Sequence, residues 1–221
     1  FGIHFLAAMK ALPVEALLDA AASPLTGVDI SNGGELSVWM DWRTRNGARG
    51  PAHLSLTGPV LDAWLDIQAD AQLADKLTLN VEHPGQMRAI EGVGGLARHT
   101  SIGARIALAP EGTSTRFGIR PAELPQVTAL TGHPAFDTLH CHLDGDAGQG
   151  AHHRGALRDL LALAQTLARP VRNLNLGGGF RGETVADILR LCRDMRAATP
   201  ADIALMLEPG AWLTASGGHA M

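Results

Sequence analysis

The sequence predicts an α/β protein: a barrel of eight parallel strands that alternate with helices. Two observations predict this fold. Short apolar or β-branched segments recur at regular intervals along the 221 residues, and stretches with apolar residues at helical spacing lie between them. Alternating strands and helices are typical of a parallel sheet covered by helices, and eight such units match a (β/α)8 barrel, or TIM barrel. A doubly wound open sheet is the alternative.

The eight predicted strands are apolar or β-branched and end in turn residues; they cover residues 2–9, 27–31, 52–57, 77–81, 101–109, 136–143, 171–176 and 203–207. Helices between them show apolar residues at helical spacing, and two are predicted to begin at Pro13 and Pro59, since proline is well tolerated in a first helical turn. In such a barrel, chemistry lies at the C-terminal ends of the strands.

Composition excludes several classes of protein. The formal net charge is −4 and 46% of residues are apolar, so we expect one sizeable domain over residues 1–221 and no nucleic-acid partner. No apolar run reaches the ~18 residues of a membrane-spanning helix. The two cysteines, Cys141 and Cys192, predict core positions rather than disulfides, and hence a cytoplasmic protein. Because the chain starts at Phe1, we expect it to be part of a longer protein.

Two charged residues stand out at the predicted strand ends. Lys10 follows the first strand, whereas Lys76, the other lysine, precedes the fourth strand and is expected at the opposite end of the barrel. A lysine at this position is able to form a Schiff base if its ammonium group is desolvated. Glu208 ends an otherwise apolar strand, and a buried carboxylate there indicates a cationic partner in the barrel mouth.

Histidines and glycines lie at two further strand ends. His140 and His142 are two residues apart on one strand and therefore face the same side, into the barrel. With Asp144 nearby, the pair also permits a metal site, although no further ligand is evident from the sequence. Residues 177–179 are three glycines between a strand and a helix, a pattern that allows close approach of a phosphate.

The predicted barrel rim thus carries an amine, a glycine run that allows phosphate binding, a flat imidazole and a buried carboxylate. Together these groups suit pyridoxal 5′-phosphate. Six motifs in chain order resemble the fold-type III pyridoxal-phosphate decarboxylases, which act on ornithine, arginine, diaminopimelate and carboxynorspermidine. They are HFLAAMKA at 4–11, VDIS with GEL at 28–36, STRFGI at 114–119, LHCH at 139–142, LGGGF at 176–180 and EPG at 208–210. The resemblance covers nearly the whole chain and implies a barrel of the alanine racemase-like type.

The resemblance implies a role for each matching residue. Lys10 would hold the cofactor as an internal aldimine, His142 would stack on its ring, and Glu208 would keep the ring nitrogen protonated. Asp29 and Arg105 would support the ring and the lysine. The phosphate and its surroundings would be bound by the glycines of two motifs, Gly177, Gly178, Gly179 and Gly210.

The implied activity is decarboxylation of an amino acid, basic or diamino or a derivative, to an amine and CO2, in a cytoplasmic homodimer. The chain departs from the family at Ala211, where an arginine that grips the phosphate is usual, and at Asp144, in a segment that usually reads Gly-Ser. Arg181 is a candidate to replace that arginine. The family's C-terminal β-domain is expected to be absent from this chain.

Two alternatives remain open at this point. One is a non-catalytic homologue that binds the cofactor weakly or acts as a decoy for a partner, which the missing arginine and β-domain favour. The other is a metal-dependent barrel hydrolase that uses His140, His142 and Asp144.

Overall fold

The structure is a computed structural model that describes most of the chain. The described residues are 2–11, 15–21, 27–47, 52–66, 75–92, 95–108, 115, 117–143, 150–180 and 184–210. Asp144, Arg181 and Ala211, which the sequence singled out, lie outside these residues, as do Pro13 and Arg116.

Eight parallel strands close into a barrel in chain order, and the first strand pairs with the last. This confirms the (β/α)8 barrel and excludes the open sheet. The strands are β1 (Ile3–Ala8), β2 (Gly27–Ile30), β3 (His53–Thr57), β4 (Lys76–Val81), β5 (Thr100–Ile106), β6 (Phe136–Leu143), β7 (Asn173–Gly178) and β8 (Ala204–Glu208). The predicted and observed strands differ most at β5, which ends at Ile106 rather than at residue 109, and at β7, which starts later than expected and continues into the glycine run.

Seven α-helices lie between the strands among the described residues: α1 (Glu15–Ala21), α2 (Gly33–Asn46), α3 (Val60–Asp66), α4 (Pro84–Glu91), α5 (Thr128–Thr131), α6 (Ala151–Thr166) and α7 (Val185–Ala198). Two 3-10 turns, Met9–Ala11 and Leu124–Gln126, complete the regular elements. Among the described residues, no helix is long and apolar enough to cross a membrane.

The start of α2 explains one of the sequence motifs. Asn32 caps the helix by accepting a hydrogen bond from the Glu35 N–H at 3.0 Å. The buried Glu35 carboxylate in turn accepts a hydrogen bond from the Ser31 N–H at 2.7 Å. This reciprocal cap satisfies backbone donors that the helix leaves open. It therefore fixes how the chain leaves β2, the strand that carries Asp29.

The apolar core lies between the strands and the helices. Leu54 and Leu56 on β3 are fully buried in this layer, as are Leu157 and Leu160 on α6. The core also holds Cys141 and Cys192, as expected from the sequence, together with Trp39, Trp42 and Trp64.

Alternate residues along a strand face opposite sides of the sheet, so one set faces the helices and the other faces the barrel interior. Several of the residues that face the interior are polar. On β3, His53, Ser55 and Thr57 are buried and alternate with the leucines. His53 Nε2 lies 2.8 Å from Thr78 Oγ1, and that hydroxyl lies 3.0 Å from Ser101 Oγ. Hydrogen-bonded side chains therefore fill part of the barrel interior.

Candidate active site

A row of residues on three neighbouring strands forms one wall of the barrel mouth. His142 on β6 is in register with Gly177 on β7, and Gly177 is in register with Glu208 on β8. All three lie at the C-terminal ends of their strands, the end at which barrel enzymes carry their chemistry. The strand register thus brings together three of the residues that the sequence predicted for the site.

Lys10 reaches the same wall from the opposite end of the chain. It lies in the 3-10 turn that directly follows β1, and its side chain is exposed. Its Nζ atom is 2.8 Å from Nε2 and 3.5 Å from Nδ1 of His142. Lys76 is the first residue of β4, at the other end of the barrel. The lysine chosen from the sequence is therefore the one at the candidate site.

Glu208 is a buried carboxylate with one oxygen satisfied and one open. Oε1 accepts a hydrogen bond from Asn175 Nδ2 at 2.7 Å and lies 3.5 Å from His140 Nε2. Oε2 is buried and has no hydrogen-bond partner among the described residues. Burial raises the pKa of this carboxyl group because the charged form loses its water. The open oxygen is therefore able to accept one further hydrogen bond or, when protonated, to donate one.

Asp29 forms a second buried acidic centre. Its Oδ1 accepts hydrogen bonds from Ser55 Oγ at 2.8 Å and from Thr57 Oγ1 at 3.1 Å. Asn80 Nδ2 donates to both hydroxyl groups at 3.0 Å, which orients them toward the carboxylate. Burial, followed by the negative charge of Glu208, raises the pKa of Asp29 to about 7.

His140 and His142 are neutral imidazoles at physiological pH. Burial lowers the pKa of each to about 3, and the positive charge of Lys10 acts in the same direction on both. Neither ring nitrogen of His140 has a hydrogen-bond partner among the described residues. The site therefore contains two uncharged flat rings beside one amine and two carboxyl groups.

The glycines at the strand ends let neighbouring atoms pack directly against the backbone. A Cβ atom at Gly177 would overlap Oε2 of Glu208 and lie 2.7 Å from Nδ1 of His142. Gly178 and Gly179 have φ angles of 71° and 73°, in the left-handed region that disfavours other residues. A Cβ at Gly210 would lie 2.8 Å from that of Ala8. At Gly177 and Gly210, the chain's own atoms therefore lie against the backbone, where any larger residue would clash.

Arg105 lies next to the row rather than within it. It is in register with His140, and its guanidinium forms an ion pair with Glu82 at the end of β4. The guanidinium carbon is also 5.2 Å from the centre of the Phe117 ring. Arg105 is therefore held in place by these contacts, which is consistent with the supporting role that the resemblance implies.

Several residues of the site were not identified from the sequence. Their common feature is that each orients a predicted residue: Asn175, Ser55, Thr57, Asn80, Glu82 and His153. The available signal was a polar residue inside an apolar strand, which Ser55, Thr57, Asn80 and Asn175 all show. His153 Nε2 donates a hydrogen bond to the Gly178 carbonyl from α6 at 3.0 Å, and no pattern in the sequence links those residues.

For the alternative of a metal site, the structure provides a candidate ligand that the sequence did not indicate. Ligand atoms of His140, His142 and Glu208 all lie within 4.8 Å of one another. Asp144, the expected third ligand, is outside the described residues. If these histidines hold a metal, the carboxylate that the structure brings to them is Glu208.

No protein-family model and no curated protein matches the chain. Solved structures do match, and they share the barrel. A carboxynorspermidine decarboxylase from Campylobacter jejuni matches 95% of this chain and 53% of its own, at a TM-score of 0.65 and 18% identity. An arginine decarboxylase from the same organism matches at a TM-score of 0.66 and 16% identity, over 95% of this chain and 40% of its own. An ornithine decarboxylase from Entamoeba histolytica matches at a TM-score of 0.63 and 15% identity, over 95% of this chain and 57% of its own.

The chain has the barrel fold of fold-type III decarboxylases. The resemblance noted from the six motifs is thereby confirmed at the level of the fold. The chain spans between 40% and 57% of the length of these solved structures.

Proposed function

We propose that this barrel binds pyridoxal phosphate and catalyses the decarboxylation of an amino acid to an amine and CO2. One observation carries the proposal. The Lys10 amine lies 2.8 Å from His142, in a row that includes Gly177 and ends at the buried Glu208. Solved structures with the same barrel are decarboxylases of amino acids or their derivatives, which supports the same general chemistry.

The residues present fit the cofactor. The open Oε2 of Glu208 is a buried acceptor that a protonated ring nitrogen would satisfy, and that pairing would offset the charge of the carboxylate in a poorly solvated site. Because residue 177 is glycine, no side chain at that position separates this oxygen from His142. The left-handed turn at Gly178 and Gly179 provides close backbone approach for the phosphate.

Each of the three site residues would perform a separate task. Lys10 would bind the cofactor covalently and, once displaced by the substrate amine, remain close enough to move a proton. The neutral His142 ring would orient the cofactor by stacking, and Glu208 would hold a proton on the ring nitrogen. When bound, the cofactor supplies an electron sink for breaking the bond to the departing carboxylate.

The substrate class is an amino acid with a basic or diamino side chain, or a derivative of one. The names of the matching solved structures, which include ornithine, arginine and carboxynorspermidine decarboxylases, support this class. We further propose a cytoplasmic homodimer in which a second copy contributes to substrate binding. Supporting roles fall to Asp29 beside the lysine and to Arg105 beside the ring.

The test is a comparison of Lys10→Ala with the unchanged chain. The unchanged chain should develop the visible absorbance of a lysine-bound cofactor when pyridoxal phosphate is added. Borohydride reduction and peptide mapping should then find the label on Lys10. Lys10→Ala should lose this absorbance, because no other described lysine lies at this end of the barrel.

Lys76→Ala is the matched control and should keep the absorbance, since Lys76 starts β4 at the opposite end of the barrel. An absorbance that persists unchanged in Lys10→Ala would refute the lysine assignment. Release of CO2 from ornithine, arginine or carboxynorspermidine by the loaded protein distinguishes a decarboxylase from a non-catalytic homologue.

A further inference from the structure

We propose that the chain without cofactor binds a zinc-type divalent cation through His140, His142 and Glu208, and that this ion and pyridoxal phosphate exclude each other. The metal site stands on the geometry of the three side chains. The mutual exclusion rests in addition on the proposed function, because it requires the cofactor to use the same residues.

The spacing of the three side chains is close to that of a zinc site. Ligand atoms that bind one zinc ion tetrahedrally at ~2.0–2.1 Å lie roughly 3.4 Å apart. His140 Nε2 and Glu208 Oε1 are already 3.5 Å apart, and all three residues offer ligand atoms within 4.8 Å of one another. A side-chain rotation of His142 is the main adjustment that an ion would require.

Two of the three ligands, His140 and Glu208, are buried and have polar atoms without hydrogen-bond partners among the described residues. His140 and Glu208 are each 1% exposed. Both ring nitrogens of His140 and Oε2 of Glu208 lack hydrogen-bond partners among the described residues. Leaving buried polar atoms unpaired costs free energy, and a cation bound between them would recover it. Two imidazoles and one carboxylate are also the three protein ligands of many catalytic zinc sites.

Glu208 is oriented by a partner outside the ligand set. Asn175 Nδ2 donates to Oε1 at 2.7 Å, which holds the carboxylate on the side of the histidines. Such outer partners fix ligand orientation, and their loss costs roughly 10–100-fold in metal affinity. The site therefore has both an inner set of ligands and a support for one of them.

Lys10 opposes the metal. Its ammonium group lies 2.8 Å from His142 Nε2, and a cation at this position repels a divalent ion among the same ligands. Binding of the ion therefore requires Lys10 to swing away or lose its proton. Because of this conflict, we predict that removing the lysine that the cofactor needs strengthens metal binding.

Competition with the cofactor follows from shared residues. An ion on Glu208 occupies the carboxylate that the ring nitrogen would use, and an ion on His142 prevents that ring from stacking. Displacement of Lys10 removes the amine from its position. The metal would therefore act as an inhibitor of cofactor loading at this barrel.

The experiment measures zinc binding to the full chain freed of cofactor, by titration against a chromophoric chelator. The unchanged chain should bind one zinc ion per chain. His140→Gln should weaken binding by at least about tenfold, since loss of a ligand costs no less than loss of an outer partner. His99→Gln, a histidine at the start of β5, is the matched control and should bind as the unchanged chain does.

Lys10→Met is the decisive variant, because it should bind zinc more tightly while failing to bind pyridoxal phosphate covalently. In the unchanged chain, zinc should slow the appearance of the cofactor absorbance. Equal zinc affinity in His140→Gln and the unchanged chain would overturn the metal site. Stoichiometric zinc binding that needs His140, in a chain that never binds the cofactor, would uphold the metal site and refute the proposed function instead.

Discussion

At the scale of single residues, the two buried carboxyl groups of the site are stabilised in different ways. Asp29 accepts hydrogen bonds from two hydroxyl groups that Asn80 orients. Glu208 has one such donor, Asn175, and keeps its second oxygen open. One oxygen of Asp29 thus accepts two hydrogen bonds from the chain itself, whereas one oxygen of Glu208 has no partner among the described residues.

Gly177 is the residue against which this second oxygen packs. In Gly177→Ala the new Cβ would overlap Oε2 of Glu208 and lie 2.7 Å from His142 Nδ1. Both side chains must then shift, although Asn175 holds the carboxylate from the other side. We expect the variant to lose about 1–3 kcal/mol of unfolding free energy and most of its affinity for pyridoxal phosphate. Thermal unfolding and cofactor titration measure the two effects.

Gly155→Ala on α6 is the matched control, because a Cβ at that position meets no atom within 4 Å. This variant should gain roughly 0.5–1 kcal/mol in unfolding free energy, since alanine is the better helix former. Unchanged cofactor affinity in Gly177→Ala would contradict the interpretation that the space beside Gly177 belongs to the site.

The sequence alone was sufficient to predict that Lys10, His142 and Glu208 lie together at the strand ends, because each is an unusual residue at such a position. It was not sufficient for Asn175 or Asn80. A polar residue inside a strand looks the same in the sequence whether it faces a carboxylate or another hydroxyl group. Which of these it does depends on the register of neighbouring strands, such as the pairing of Asn175 with His140.

At the scale of elements, a buried side chain of α6 hydrogen-bonds to the end of β7. His153 donates from Nε2 to the Gly178 carbonyl at 3.0 Å, and its ring packs on Phe180 with centroids 4.3 Å apart. Burial lowers the pKa of His153 to about 4, so the ring is neutral and its Nε2–H is the donor. The helix thereby fixes the turn that the glycine run makes.

His153→Phe would keep the packing on Phe180 but remove the donor to Gly178. A partly buried carbonyl would lose its partner, and we expect a loss of about 1–3 kcal/mol in unfolding free energy. The affinity for pyridoxal phosphate should fall as well, since the glycine turn is no longer held. Chemical denaturation and cofactor titration measure these effects.

His153→Gln retains an amide donor near the position of Nε2 and should recover much of both losses. If His153→Phe keeps the stability and the cofactor affinity while His153→Gln loses both, the packing of the ring rather than its hydrogen bond supports the turn.

Strand boundaries were predictable where an apolar run ends in a charged or turn residue, as at β6 and β8. The end of β7 was not, because Gly177 and Gly178 resemble a loop in the sequence. In the barrel they are strand residues that pair with His142 and Leu143. Pairing on both sides of a closed sheet overrides the low strand propensity of glycine.

At the scale of the whole molecule, the polar interior couples stability to pH. Asp29 holds a proton to higher pH in the folded chain than in the unfolded chain, because burial and Glu208 raise its pKa to about 7. The stability that this group contributes is therefore present in acid and lost as the pH rises through about 7. The lowered pKa values of His140 and His142 act in the opposite direction below neutral pH.

A comparison with Asp29→Asn isolates this carboxyl group, since the histidines titrate in both proteins. Between about pH 5 and pH 8, the unfolding free energy of the cofactor-free chain should fall by roughly 1–3 kcal/mol relative to that of Asp29→Asn. Urea denaturation at a series of pH values measures the difference. Parallel pH profiles would show that Asp29 is ionised throughout this range.

The closure of the barrel by β1 and β8 has a consequence for synthesis of the protein. Lys10 follows the first strand and Glu208 ends the last, so nearly all of the described chain lies between the two. A nascent chain on the ribosome displays the lysine early but completes the pocket only after the eighth strand has emerged. Binding of the cofactor would then show that the barrel has been fully translated and folded. A chain stalled before Glu208 would not develop the cofactor absorbance.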